Sequence, residues 1–317
     1  MGDNPASFEH YPVLYREVLE AFTPCLDAGS TVVDCTLGGG GHSRLMLEAF
    51  PGIRIIAFER DARMIERARK RLGPFVEQCD IIHDNFSELS FYLSGMEGKV
   101  SAILYDFGIS SFHLDADDRG FSIKDDAPLD MRLDASCTLS AADVVNDMDE
   151  GRLADIIYTY GEERHSRKIA RRIVEKRQHG GIRTTGALAD IVLKAVPLSG
   201  KKRRGTVHPA TRTFQALRIF VNNELDSIRK SLESSWTFCR TGGRICAISF
   251  HSLEDRIVKQ AFRSLSKGCY CDGSALCTCD RIPRVALVTK KPVVPGEAES
   301  AENPRSRSAK MRVCERV

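Results

Sequence analysis

Four consecutive glycines, Gly38-Gly-Gly-Gly41, join a β-branched run that ends in an acid, Thr31-Val-Val-Asp34, to an apolar-periodic segment that begins at His42. That order reads as strand, tight turn and helix, the opening unit of a doubly wound α/β fold. Residues without Cβ let the backbone come close to a ligand, and the helix N-terminus offers unpaired N–H groups. Ile53-Arg-Ile-Ile-Ala-Phe58 reads as the next strand, and Glu59 at its carboxyl end is placed to accept hydrogen bonds from the hydroxyls of a ribose. The architectural alternative is that the glycines only let the first helix pack tightly on the sheet. A dinucleotide fingerprint would read G-x-G-x-x-G, but its sixth position here is Ser43, and an acid stands four residues before the first glycine. The Asp34-x-x-x-Gly38-x-Gly40 spacing is closer to the loop that holds S-adenosylmethionine, which has no pyrophosphate to rest on the helix end.

A chain of 317 residues is long for one core, so one domain with an insertion, or two domains, is expected. No apolar run approaches the ~20 residues of a membrane span, and Met1-Gly-Asp-Asn-Pro lacks the features of a signal peptide, so a cytoplasmic protein is expected. Of eleven cysteines, Cys25, Cys35, Cys79, Cys137, Cys239, Cys246 and Cys314 are scattered, as small core residues would be. Cys269, Cys271, Cys277 and Cys279 cluster; they could bind zinc, though C-x-C is tighter than usual finger spacing, and a reduced surface hairpin is the alternative.

Charge is unevenly placed. Between Tyr160 and Arg218 fifteen basic residues face four acids, a net of +11 in a chain whose formal total is +3. A charge run usually marks a solvated helix face, but an excess of this size with a Lys-Lys-Arg-Arg loop reads as a footprint for a phosphate backbone. Arg164, Arg167, Lys168, Arg171, Lys202, Arg203, Arg204 and Arg212 are the candidate clamps for a nucleic-acid backbone.

Along the chain, Arg60 to Leu72 reads as an exposed amphipathic helix, Phe75–His83 as a third strand, and Val100–Asp106 as a fourth that again ends in an acid. From His113 to about Thr213 no further buried strand is expected. An irregular segment through Asp115–Arg132 precedes helices at Ser140–Asn146, Glu150–Tyr160, Ser166–Arg177 and Thr185–Val196, with Thr184 or Thr185 as the cap of the last. The sheet pattern returns after a helix through Phe214–Phe238, with a turn at Thr241-Gly-Gly243 and a strand at Arg244–Phe250. Ser252–Leu265 reads as a helix with Ser252 as its cap. Val285–Thr289 and Ala309–Glu315 read as two edge strands around a polar Pro292–Pro304 link.

Several longer words point to one family. They are Leu37-Gly-Gly-Gly-Gly-His-Ser43, Tyr105-Asp-Phe-Gly-Ile-Ser-Ser111, Arg119-Gly-Phe-Ser122, Pro128-Leu-Asp-Met-Arg132, Tyr160-Gly-Glu-Glu-Arg164, His208-Pro-Ala-Thr-Arg-Thr-Phe-Gln215, Ser249-Phe-His-Ser-Leu-Glu-Asp-Arg256 and Glu302-Asn-Pro-Arg305. In this order, over nearly the whole chain, they resemble the bacterial small-subunit rRNA cytosine-N4 methyltransferases. The resemblance implies a class I S-adenosylmethionine-dependent methyltransferase: a Rossmann-like, mostly parallel seven-stranded sheet over 1–113 and 214–317, with an all-helical substrate domain inserted at 114–213. It implies methylation of a decoding-centre cytosine of 16S rRNA within the small ribosomal subunit. It further implies cofactor contacts from Gly40, Gly41, His42, Glu59, Phe86, Asp106 and His113. Glu59 stands where relatives often carry Asp, and His113 where Gln is expected. A homodimer is compatible with the sequence.

The chemistry narrows the catalytic candidates. The N4 amine of cytosine is a poor nucleophile because its lone pair is delocalised into the ring. Many enzymes acting on exocyclic amines place an Asn/Asp-Pro-Pro-aromatic tetrad at the fourth strand end; here Asp106-Phe107-Gly108 occupies that place. Asp106 is therefore the expected acceptor for the amine hydrogen, with alignment supplying much of the rate. His251, after the fifth strand, is the rival acid–base candidate, with a structural role as its alternative. Phe86 could lie against adenine or be ordinary core. Two other classes compete, an RNA-binding factor that keeps the cofactor as a structural ligand and a small-molecule or NAD enzyme; the basic insertion argues against the second.

Overall fold

The computed structural model describes residues 11–115, 118–196, 208–268 and 282–317. They divide into two compact units, 1–108 with 225–317, and 109–224.

The first unit is built on a seven-stranded sheet: β1 (Thr31–Asp34), β2 (Arg54–Glu59), β3 (Cys79–His83), β4 (Val100–Asp106), β5 (Cys239–Ser249), β6 (Val285–Leu287) and β7 (Lys310–Arg316), in the order β3-β2-β1-β4-β5-β7-β6. The strands from β3 to β5 are parallel; β7 lies antiparallel between β5 and β6. β4 is buried from Val100 to Tyr105, as expected of a central strand covered on both faces. Tyr105 is fully buried, and its hydroxyl shares a 2.6 Å hydrogen bond with Ser231 Oγ, which satisfies the polar tip inside the core. Arg244 faces Glu315 across β5 and β7 at 2.9 Å and helps to fix their register. The sheet order reverses at β1 and β4, so the crevice beyond their carboxyl ends is the topological switch point where doubly wound sheets bind ligands.

Several expected elements are corrected. The first half of the expected third strand is a 3₁₀ turn, Gly73–Gln78: Gly73 leaves the preceding helix at φ +54, Pro74 carries no N–H, and pairing with β2 starts only at Cys79. β5 begins at Cys239 rather than Arg244. Cys239 pairs with Val100 and Arg244 with Ala102, so Thr241-Gly-Gly243 is an excursion within the strand. The expected helix over 214–238 is two helices, Thr211–Asn222 and Glu224–Phe238, divided by Asn223 at φ +49, a left-handed position that Asn tolerates. The link 292–304 contains a short helix, Glu297–Glu302.

The second unit is helical. Ala141–Asp147, Glu150–Gly161, Ser166–Arg177 and Thr185–Ala195 fall close to the expected spans, and Thr184 caps the last by accepting from Ala187 N–H. Val144, Leu153, Ile157, Ile169, Ile173, Leu188 and Val192 form its core. Phe214 and Leu217 belong to the same core, so the helix Thr211–Asn222 sits in this unit and the expected limits of 114–213 become 109–224. The irregular segment before these helices is tied down rather than loose. Asn222, buried, accepts from Leu133 N–H and donates to the carbonyl of Met131, which sits at φ +60.

Candidate active site

Asp34 ends β1 fully buried, and one carboxylate oxygen accepts a 2.6 Å hydrogen bond from Ser43 Oγ in the first turn of the helix Gly41–Ala49. The other accepts from Thr36 N–H. Burial pushes the Asp34 carboxyl above its usual range, against the hydrogen bond from Ser43. With both oxygens engaged inside the loop, Asp34 fixes the turn rather than meeting a ligand. Thr36 extends the same frame: its Oγ1 accepts from the backbone N–H of Asp106 at 2.6 Å, clamping the loop after β1 to the end of β4. Thr36 lay inside the glycine motif, but nothing in its type marked it as this clamp.

Three of the four glycines divide between two jobs. A Cβ on Gly40 would lie 3.2 Å from Ala68 Cα, and one on Gly41 would lie 2.7 Å from Pro12 Cγ, so both are needed for close packing. Gly38 adopts φ +51, a conformation that favours glycine, and its N–H donates to Glu59 Oε2 at 2.9 Å. Glu59 Oε1 also accepts from the N–H groups of Arg60 and Asp61. Glu59 therefore ties the glycine loop to the end of β2 while staying half-exposed.

His42 and Asp106 meet where β1 and β4 end. His42 is buried in the first turn of its helix, and its Nε2 lies 3.5 Å from Asp106 Oδ2. His42 Nε2 and Asp106 Oδ1 are buried and make no hydrogen bond. Buried polar atoms are nearly always paired in native proteins, so two such atoms side by side mark a place for a polar ligand. Phe86 follows β3; its ring packs edge-on to Tyr105 at 5.8 Å and tilted against Phe107 at 6.0 Å. Phe107, which the sequence did not single out, thus completes an aromatic cluster immediately after Asp106.

The remaining predicted residues fall elsewhere. His113 lies in the second unit, buried, with its ring 5.3 Å from that of Phe121. His251 rather than Ser252 caps the helix Ser252–Ser266. Its Nδ1 accepts from Glu254 N–H, its Nε2 lies 3.1 Å from Glu254 Oε1, and Glu254 Oε2 accepts from Phe250 and His251 N–H. His251 Nδ1 and Glu254 Oε2 thus form a reciprocal cap, the structural role that was the alternative for His251, while His251 Nε2 and Glu254 Oε1 are buried without a hydrogen bond. In the second unit Arg164, Arg167, Lys168, Arg171 and Arg212 are all exposed, and Arg167, Lys168 and Arg171 share the outer face of Ser166–Arg177 opposite Ile169 and Ile173. Arg167 reaches Asp155 at 3.3 Å and Arg171 reaches Glu150 at 3.7 Å, exposed pairs that cost little to exchange for phosphate. Lys202, Arg203, Arg204 and the cluster Cys269, Cys271, Cys277, Cys279 lie outside the described residues. Of the scattered cysteines only Cys137 is not buried; burial pushes the Cys239 thiol up to about 12, consistent with an inert core residue.

A doubly wound sheet with β7 antiparallel beside β5, a glycine loop at its switch point and acids closing β1, β2 and β4 defines a class I methyltransferase. Relatives agree. The MraW methylase family matches residues 7–317. The ribosomal RNA small subunit methyltransferase H of Geobacter sulfurreducens is 49% identical over 315 residues, covering 98% of this chain and all of that one. The protein of that name from Citrifermentans bemidjiense is 48% identical over 314 residues, with 98% and 99% coverage. That from Clostridioides difficile is 44% identical over 313 residues, with the same coverage. The chain belongs to the MraW methylase family.

Proposed function

We propose that this protein transfers a methyl group from S-adenosylmethionine to the N4 amine of a decoding-centre cytosine, cytosine 1402, of 16S rRNA, acting in the cytoplasm on RNA of the small ribosomal subunit. The observation that carries the chemistry is the half-exposed carboxylate of Asp106 at the switch point, with His42 Nε2 3.5 Å from its Oδ2. The cofactor fits the residues present. Glu59 would hold the ribose hydroxyls, Phe86 and Phe107 the adenine, and Gly40, Gly41, His42 and Asp106 would border the methionine end; His113 is carried by the second unit. Bound S-adenosylmethionine supplies a methyl carbon on a sulfonium sulfur that departs as a thioether with the C–S electron pair. The Asp106 carboxylate accepts a hydrogen bond from the amine, which raises the electron density on N4, and takes the proton that N4 sheds as the C–N bond forms. The surrounding frame, Thr36 above all, holds Asp106 at the strand end so that alignment is achieved before reaction.

A cytosine in folded RNA must be unstacked to reach such a site, so backbone clamps are required. Arg164, Arg167, Lys168, Arg171 and Arg212, with Lys202, Arg203 and Arg204, serve as those clamps. Replacing Arg164, Arg167, Lys168 and Arg171 with Gln should weaken RNA binding and flatten the log–log salt slope by about 0.7 per lost contact. A slope unchanged by all four substitutions would show that this face is merely solvated. No described helix is long and apolar enough to cross a membrane.

Cofactor choice is tested by thermal shift. S-adenosylmethionine at a hundredfold excess over its Kd should stabilise by about 2.7 kcal/mol, roughly 5–10 °C, and NAD should not. An equal or larger shift with NAD would reverse the assignment. The substrate is tested by mass spectrometry of 16S rRNA from cells with and without the protein. N4-methylcytosine at the decoding centre should vanish with the protein; an unchanged signal overturns the proposal.

A further inference from the structure

We propose that His42 is the positioning residue for Asp106. Its Nε2–H holds Asp106 Oδ2, so that the carboxylate keeps one orientation toward the amine of the incoming base. This rests on the N4 reading above and goes beyond it, because the resemblance assigns His42 only to the cofactor. Three observations carry it. His42 Nε2 has Asp106 Oδ2 at 3.5 Å. The two buried atoms without a hydrogen bond at this place, His42 Nε2 and Asp106 Oδ1, belong to this pair. The backbone on both sides is fixed, since Ser43 is bonded to Asp34 and the N–H of Asp106 to Thr36. At 3.5 Å the contact is slightly longer than a hydrogen bond, and such catalytic contacts tighten when the substrate closes the site.

A carboxylate with two free oxygens can rotate and offer either to the amine. Donation from His42 to Oδ2 removes that freedom and holds the carboxylate in one orientation toward N4. The proton shed by N4 goes to the Asp106 carboxylate and returns to water after product release, and His42 keeps its own proton throughout.

The test uses the full-length enzyme with three measurements: S-adenosylhomocysteine affinity by calorimetry, single-turnover methyl transfer at saturating cofactor and RNA, and product identity by mass spectrometry. His42→Phe should slow transfer roughly a hundredfold at saturating cofactor, whatever it costs in S-adenosylhomocysteine affinity. His42→Gln, which retains an N–H donor, should recover at least about tenfold of that loss; a folded Gln variant no faster than the Phe variant overturns the inference, and also covers the case in which Phe impairs folding. In an Asp106→Asn background, His42→Phe should cost less than about threefold, because residues acting as one unit are not additive. The same loss in both backgrounds would overturn the inference, as would a loss confined to cofactor affinity. A methylated base other than N4-methylcytosine would instead sink the proposed substrate and leave the coupling between the two residues measurable.

Discussion

Asp106→Ala is expected to reduce methyl transfer by at least about a thousandfold while the protein still folds. The size follows from the two roles that one carboxylate fills. General-base assistance contributes roughly 10²–10⁴-fold, and correct placement of the amine adds to it. Folding should survive, because Asp106 is anchored through its backbone: its N–H donates to Thr36 Oγ1, and the next residue, Phe107, bonds Ile248 O at 3.0 Å. Removing the side chain also relieves a buried oxygen that has no partner, so the melting temperature should hold or rise slightly. The check is single-turnover transfer from labelled S-adenosylmethionine beside a melting curve. Transfer within tenfold of wild type would remove Asp106 from the chemistry. A collapse of the melting temperature would mean that its role is structural.

The second large effect is on stability. Gly120 sits at φ +71 in the Arg119-Gly-Phe-Ser122 segment, and a Cβ there would lie 2.3 Å from Pro128 O and 2.8 Å from Thr185 Cγ2. The backbone conformation is unfavourable for alanine by about 1–2 kcal/mol, and overpacking adds about 1–3 kcal/mol. The loop cannot yield easily. Met131 N–H donates to Arg119 O at 2.8 Å, Arg119 Nη1 donates to Arg132 O and Leu133 O, and Ala127 N–H donates to Thr185 Oγ1. Gly120→Ala should therefore cost roughly 2–5 kcal/mol, a large share of the stability of one domain. Calorimetry should show the second unit melting well below the first, with binding of S-adenosylhomocysteine to the first unit retained. A shift of less than about 2 °C would show that the loop relaxes around the added methyl.

Much of this architecture was legible because burial on both faces leaves a plain mark. β1 and β4 appear where continuous apolar runs end in acids, and Val100–Asp106 matches residue for residue. The helices of the insertion were legible through their period and caps, Thr184 among them. What was missed has identifiable physical causes. The apolar period runs unbroken through 214–238, so the left-handed turn at Asn223 leaves no gap in the pattern. The helix Thr211–Asn222 has an apolar face that would suit either core, and only packing assigns it to the second unit. His251 reads in the sequence as an acid–base candidate because it follows the fifth strand beside Ser252, and its role as the cap depends on a side chain folding back, which the sequence does not display.

The sequence by itself determined the doubly wound class, the three acids at the ends of β1, β2 and β4, and the concentration of positive charge in the insertion. Those properties reside in local order and residue type, which need no knowledge of distant neighbours. Only the tertiary structure decided how the three acids differ. Asp34 is spent on Ser43 and Thr36, Glu59 is tied to Gly38 and the start of the next helix, and Asp106 alone keeps a buried oxygen without a partner beside His42. Similar carboxylates at similar strand ends acquire different chemistry because hydrogen-bond partners come from residues far apart in the chain, and only folding brings those partners within reach.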